Sequence, residues 1–316
     1  MMNKEKILVI GANGQIGTAL LPKLQEIYGE DGVIASDLQA TNPPKSVFET
    51  LDATQPTALQ ALIKKHNITQ VYHLAAVLSA KGEANPLQAW EINMQTLLNV
   101  LEAARNLNLK KVFIPSSIAV FGESAPHQFT PQQAYLDPTT VYGISKVAAE
   151  NWCLYYHKRY QVDVRSLRYP GVIGYQSLPG GGTTDYAVEM YHKAVAGENY
   201  TCYLQENTRL PMIYMEDVLR ATIELMEAPA DQISVRTSYN LAGTSFTPAE
   251  LYENIKLLFP DFQCGFVPDF RQAIADSWPE SIDDTSAQKD WGWKPKFDLS
   301  QITTEMITHL SKQLIG

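Results

Sequence analysis

The chain has 316 residues, 45% of them apolar, and a net charge of -9, with an isoelectric point near 5.2. That length buries one large core, or a large domain with a smaller partner, and the acidic balance argues against nucleic acid or an anionic membrane surface as the main partner. Three cysteines, Cys153, Cys202 and Cys264, are odd in number and far apart in sequence, which fits reduced thiols in a cytoplasmic protein without a disulfide framework.

The six histidines show no ligand spacing, so no metal is expected. Met1 leads almost directly into the first strand. No signal peptide and no bilayer-spanning run is expected.

Residues 6–11 read as a strand and about 14–28 as a helix. Between them lies Gly11-Ala12-Asn13-Gly14-Gln15-Ile16-Gly17. Glycines there permit positive φ and let backbone approach a ligand, and the N–H groups opening the helix suit a pyrophosphate. The next strand, about 32–37, ends in Asp37, 20 residues after Gly17, where a ribose-binding carboxylate belongs.

Thr41 to Lys45 reads as a loop around two prolines, and Ser46 to Leu51 as a strand ending at Asp52. A helix from Pro56 to about His66 precedes a strand over Gln70 to Ala75. A long helix follows Pro86, with Leu87, Trp90, Met94, Leu97, Leu98 and Leu101 at helical spacing. Val112 to Ile114 is a strand, Thr140 to Tyr160 a helix, and Val162 to Leu167 a strand. This alternation predicts a doubly wound parallel sheet covered on both faces, with right-handed crossovers.

After Tyr169 the texture changes. Leu178 to Thr184 is loop-like, with glycines 180–182 as a hinge candidate, and a helix follows over about 185–196. Strands are expected at 200–204, 210–214 and 237–241, and helices at 216–227, after Thr247-Pro248, and near 270–277, 283–290 and 299–313. The predicted organisation is α/β: a Rossmann-type domain over 1–175, to which 206–243 returns, and a smaller α+β C-terminal substrate-binding cap from 176–205 and 244–316.

Tyr142 and Lys146 are four apart in a helix and share a face. A tyrosine hydroxyl has a pKa of about 10, and a neighbouring ammonium lowers it, which makes the pair a candidate general base. Ser117 closes a strand of the parallel sheet, and ligands gather at the carboxyl ends of such strands. Its hydroxyl is placed to hold a substrate oxygen while Tyr142 takes the proton.

On these features the chain resembles the extended short-chain dehydrogenase/reductase family. The matching stretches are the glycine turn, His73-Leu74-Ala75-Ala76, Asn93, Pro115-Ser116-Ser117 with Val120-Phe121-Gly122, Tyr142-Gly143-x-Ser145-Lys146, and Arg168-Tyr169-Pro170. The resemblance implies Ser117, Tyr142 and Lys146 as catalytic residues, with Lys146 also on the nicotinamide ribose. It implies NAD as cofactor, with Asp37 on the adenosine ribose, Asp52 near the adenine, and Leu74 and Ala75 lining the cleft. Gly11, Asn13, Gly14, Gln15, Ile16, Gly17, Leu38, Ala76, Asn93, Ser116 and Tyr169 complete the expected cofactor set. Leu38 and Gln39 after Asp37, with no arginine, favour NAD over NADP.

Within that family the chain is similar to the epimerase-like L-threonine 3-dehydrogenases. The stretches are Ala76 to Glu83, Leu167 to Ile173, Pro179 to Ala187, Thr208 to Tyr214, Arg271 to Pro279, and Lys289 to Trp293. This implies oxidation of L-threonine to 2-amino-3-oxobutanoate, and a homodimer. The candidate substrate residues are Ser79, Ser117, Tyr142, Gly182, Thr183, Thr184 and Trp278.

Plainer readings stand beside several of these. Thr184 is also a helix N-cap candidate, Ser79 a backbone-bonding hydroxyl, and Trp278 cap core. Arg209 suits either substrate or an ion pair holding the cap. Trp291 and Trp293 read as packing, and the Leu87–Leu101 stripe with Trp152, Tyr155 and Tyr156 as core or dimer face. A sugar-nucleotide epimerase or dehydratase with retained NAD is the alternative, and a non-catalytic NAD-binding regulator a third reading. The lack of an arginine between Arg168 and Arg209 counts against the sugar nucleotide, and the Ser117-Tyr142-Lys146 set against the regulator.

Overall fold

The structure is a computed structural model that describes residues 5–40 and 47–315, the side chains of Ala80, Lys81 and Ile315 excepted. The predicted loop over Thr41 to Lys45, and Ser46 after it, lie outside the described residues.

The first half alternates strand and helix: β1 Ile7–Ile10, α1 Gln15–Tyr28, β2 Val33–Asp37, β3 Val47–Thr50, α2 Pro56–His66, β4 Gln70–His73, α3 Ser79–Ala84, α4 Pro86–Leu107, β5 Lys111–Phe113, β6 Ser116–Ser117, α5 Val141–Tyr160 and β7 Val164–Arg165. Six strands form one parallel sheet in the order β3-β2-β1-β4-β5-β7. The order turns back at β1, where the chain runs outward to β3 and then returns beyond β1 to β4. That reversal opens a crevice at the strands' carboxyl ends.

Apolar residues alternate between the two faces of β1. Ile7 and Val9 join a core with Leu20 and Leu24 of α1, while Leu8 and Ile10 join one with Leu59 of α2, Leu97 of α4 and Cys153 of α5. Each face needs its own helical layer, so the strand reads as a continuous apolar run. Pro56 and Pro86 start α2 and α4 at a position where the missing N–H costs nothing. Thr140 caps α5 by accepting from the Gly143 N–H at 3.1 Å.

The second half comprises β8 Leu167–Tyr169, β9 Gly171–Ile173, α6 Tyr186–Val195, β10 Tyr200–Cys202, β11 Leu210–Tyr214, α7 Met215–Glu227, β12 Tyr239–Asn240, β13 Thr244–Phe246, α8 Pro248–Lys256, β14 Cys264–Phe266, α9 Arg271–Asp276, α10 Thr285–Trp291 and α11 Leu299–Ile315. Its strands, joined by β6 of the first half, make three small sheets, β12-β8-β6, β13-β11-β9 and β10-β14. A third core joins α6, α8 and α11 with Trp278. α7 lies against α1. Ala287 and Trp293 enter the core that α1 and α7 share.

Several expected elements differ. The strand expected over 162–167 is two strands, β7 and β8, which enter different sheets. The break falls at Ser166, whose hydroxyl is buried against Ser238. α3, which opens at Ser79, is not among the expected elements; it is a helix of six residues, too short to show a period. The three-residue strands β9, β13 and β14 carry no alternation long enough to read.

Candidate active site

The nucleotide half of the crevice is built from backbone. Gly11 has φ +86°, and a Cβ there would lie 2.6 Å from the Ala75 nitrogen, so only glycine fits between β1 and the chain leaving β4. A Cβ at Gly17 would lie 2.3 Å from the Gly11 carbonyl oxygen, so α1 packs directly on the turn. Gly14 caps α1 with no side-chain bond, and the first-turn N–H groups at Gln15, Ile16 and Gly17 lack helical acceptors. Asp37 Oδ2 accepts from the Asn13 N–H at 2.9 Å, and its Oδ1 from the Leu38 N–H at 2.7 Å. Its carboxylate lines a cavity of about 540 Å³ together with Gly14, Leu38, Asp52, Leu74 and Ala75. Asp52 Oδ1 accepts from Thr54 through both the N–H and the hydroxyl, which holds its carboxyl below the usual range.

A second cavity, of about 150 Å³, adjoins the first along Leu74 and Ala76 and brings together Ser117, Tyr142 and Lys146. Lys146 Nζ donates to the Pro115 carbonyl at 2.7 Å and lies 5.5 Å from the centre of the Tyr142 ring. Ser117 lies near enough to Tyr142 to favour its phenolate, and its Oγ accepts from the Ala119 N–H at 3.2 Å.

The expected lowering of the Tyr142 pKa by Lys146 is not what this geometry gives. Burial pushes the phenol up to about 12, and Ser117 opposes it only in part. Burial also brings Lys146 down to about 8, against the pull of Cys153 and Glu150. The ammonium is committed to a backbone carbonyl and stands over the ring rather than at the hydroxyl.

The far wall of the cavity is made by Gly182, Thr183, Thr184, Asp185 and Trp278. Thr183 Oγ1 and Trp278 Nε1 are buried and have no hydrogen-bond partner among the described residues. Thr184 lies over Gly171, where a Cβ would meet its own Cβ at 2.8 Å. It does not cap α6, because Asp185 occupies the N-cap position. Ser79 is buried and lines the same cavity.

Three of the expected cofactor residues have their polar atoms committed elsewhere. The Asn93 amide accepts from the Val77 N–H at 2.8 Å and donates to the Val77 carbonyl at 3.1 Å, tying the chain after β4 to α4. Ser116 Oγ donates to Glu150 at 2.7 Å, within a buried pair with Arg168. The Tyr169 hydroxyl bonds Thr222. Ser116 and Tyr169 therefore support the cavity wall, while Asn93 faces a separate cavity of about 20 Å³ shared with His73 and Lys146.

Arg209 lines neither cavity; it donates to the Ser245 carbonyl at 2.8 Å and pairs with Glu250, the ion-pair side of its two readings. Trp293 is fully buried beneath the Arg220 guanidinium at 4.3 Å. Sequence reasoning passed over His73 and Asp185. His73 was visible in the His-Leu-Ala-Ala run, and Asp185 at the end of the Gly-Gly-Gly-Thr-Thr run. Among the described residues no group of three His, Cys, Asp or Glu side chains is placed to hold a metal ion. No described helix is long and apolar enough to cross a membrane.

The sequence signature of the NAD dependent epimerase/dehydratase family matches residues 7–242. An uncharacterised epimerase/dehydratase of Staphylococcus haemolyticus is 45% identical over 314 residues, 98% of each chain. The holo form of a GalE-like L-threonine dehydrogenase from Cupriavidus necator is 55% identical and superposes with a TM-score of 0.95, covering 96% of this chain and 99% of its own. A monomeric L-threonine 3-dehydrogenase of metagenomic origin is 50% identical with a TM-score of 0.95, covering 97% and 99%.

The chain thus belongs to the NAD-dependent epimerase/dehydratase family, and NAD is its cofactor. The cradle fits that group. The close approach at Gly11 and the unpaired first-turn N–H groups of α1 suit a pyrophosphate. A carboxylate at Asp37 suits a free ribose hydroxyl and opposes a 2′-phosphate.

Proposed function

We propose that the protein oxidises the C3 hydroxyl of L-threonine to give 2-amino-3-oxobutanoate, with NAD as the oxidant. The observation that carries this reading is the second cavity. It holds about 150 Å³, contains Ser117, Tyr142 and Lys146, and has the Gly182–Asp185 loop and Trp278 as its far wall. That space suits an amino acid beside a nicotinamide. A nucleotide diphosphate sugar needs more room and cations for its phosphates, and among the described residues Lys146 is the only Lys or Arg lining this cavity. The two L-threonine dehydrogenases, alike in fold and at 50–55% identity, support the same substrate.

NAD, when bound, supplies a cationic nicotinamide that accepts hydride. The residues of the chain do the rest. Ser117 holds the substrate hydroxyl against Tyr142, which takes its proton at Oη as the C3–H electron pair leaves and the C3–O bond becomes a carbonyl. Phenolate formation is costly in this buried site, where Tyr142 stands at about 12. Lys146, at about 8, keeps its ammonium at neutral pH and is held beside the ring by the Pro115 carbonyl, so lowering the phenol requires the bound substrate and cofactor to bring that ammonium or another positive charge nearer to Oη. Asp37, Gly11 and the first turn of α1 hold the nucleotide, and Thr183 with Trp278 supplies donors for the substrate carboxylate. Fixing alcohol and acceptor at near-attack distance contributes much of the acceleration.

The test is NADH formation from L-threonine, in parent and Tyr142→Phe. The variant should bind NAD normally and lose about 100- to 10,000-fold in kcat. Activity surviving in the variant removes Tyr142 as base. A folded, NAD-binding parent that is inactive on threonine but acts on a sugar nucleotide restores the epimerase reading.

A further inference from the structure

Asp185 is buried, with 8% of its surface exposed. Among the described residues it is the only carboxylate lining the cavity that holds Ser117 and Tyr142. Its Oδ2 accepts from the N–H groups of Gly181 and Gly182, both at 2.7 Å. Its Oδ1 makes no hydrogen bond among the described residues, and no described ion pair reaches the group. The one ammonium among the described residues of the cavity, Lys146, is held by the Pro115 carbonyl. A carboxylate with two N–H bonds, one oxygen left open to the cavity and no cation among the described side chains is a group that takes a counter-charge.

Other buried polar atoms of the cavity without a partner among the described residues are Gln15 Nε2, Thr183 Oγ1 and Trp278 Nε1; the amide and indole N–H groups only donate, and the hydroxyl can donate. The cap therefore presents donors together with a single anion. That is the complement of a zwitterion, whose carboxylate needs donors and whose ammonium needs an acceptor. A hydroxy acid without an amine would leave Asp185 unpaired.

We infer that Asp185 is the specificity-determining residue of this cavity and pairs with the α-ammonium of a 2-amino-3-hydroxy acid. The assignment rests on the amino-acid reading of the cavity given above. The glycine loop is thereby tied to substrate choice, because the carboxylate that grips Gly181 and Gly182 also faces the amine. A site built to bond one polar group rejects the analogue that lacks it.

The test is calorimetric binding to the NADH-loaded protein, which needs no turnover. The two ligands are L-threonine and 3-hydroxybutanoate, which shares the carbon skeleton and lacks the amine. The parent should prefer threonine by about 100-fold. Asp185→Asn keeps an oxygen for the two N–H groups and removes the charge, so the ratio of the two affinities should collapse to within about threefold. A ratio unchanged in Asp185→Asn overturns the inference and leaves Asp185 a loop clamp. A parent ratio near one overturns it without any variant. Threonine that binds through Asp185 but is not oxidised would sink the dehydrogenase reading and leave this one standing.

Discussion

His73 ends β4 with its ring buried, 5% exposed. Burial, and after it the Lys146 ammonium, push its pKa down from 6.5 to about 3. The unfolded chain therefore takes up a proton near pH 6.5 that the folded chain refuses until about 3. Stability from this residue is complete above the unfolded value and is lost as pH falls through it. Each pKa unit is worth about 1.4 kcal/mol, so at about pH 5 the loss relative to about pH 8 comes to roughly 2 kcal/mol. His73→Gln removes the titrating group and keeps a polar side chain. Urea unfolding of parent and variant, at both pH values, reads the effect as a difference of differences. Carboxylates elsewhere titrate alike in both chains and cancel. The parent should lose roughly 2 kcal/mol more than the variant on acidification. An equal loss would refute the reasoning, because it would mean that the buried ring protonates in place as readily as in the unfolded chain.

Two further outcomes follow from the cradle and the surface. Gly17→Ala places a methyl 2.3 Å from the Gly11 carbonyl oxygen, so α1 must shift off the turn; about 1–3 kcal/mol of stability is expected to go, with NADH affinity falling at least about tenfold. A variant with unchanged urea midpoint and NADH titration would show that the turn tolerates the shift. A homodimer is expected through α4 and α5, where Leu87, Trp90, Trp152 and Tyr155 are exposed and Trp152 meets Tyr155 edge-on at 5.7 Å. Sedimentation should give a dimer for the parent and a monomer for Trp152→Glu with Tyr155→Glu. A monomeric parent, like the metagenomic relative, would leave the aromatic face without a partner.

The cofactor half was legible because its requirements are local. Ile7 to Ile10, the glycine turn and Asp37 are fixed by backbone sterics and by the strand–turn–helix order, and both leave marks in adjacent residues. The pair Tyr142 and Lys146 was legible for the same reason, since four residues on a helix bring two side chains to one face. What was not legible is where each polar atom spends its bonds. Lys146 turns its ammonium to Pro115, 31 residues away, and Asn93 turns its amide to Val77. Neither choice has a pattern, and the first decides whether the ammonium or burial governs the phenol.

The cap shows the same limit more sharply. Asp185 stands at the start of α6, where an acidic residue reads as an ordinary N-cap and nothing local separates that from a ligand contact. In the structure the side chain caps nothing in α6 and folds back on Gly181 and Gly182. It becomes a cavity wall only because Ser117 and Tyr142, from β6 and α5, lie across from it. A cap residue is satisfied by its own helix, whereas this one is satisfied by the loop before it and keeps one oxygen uncommitted. On the proposed reading, that spare acceptor, in the same cavity as Tyr142, separates a site for an amino acid from one for any secondary alcohol.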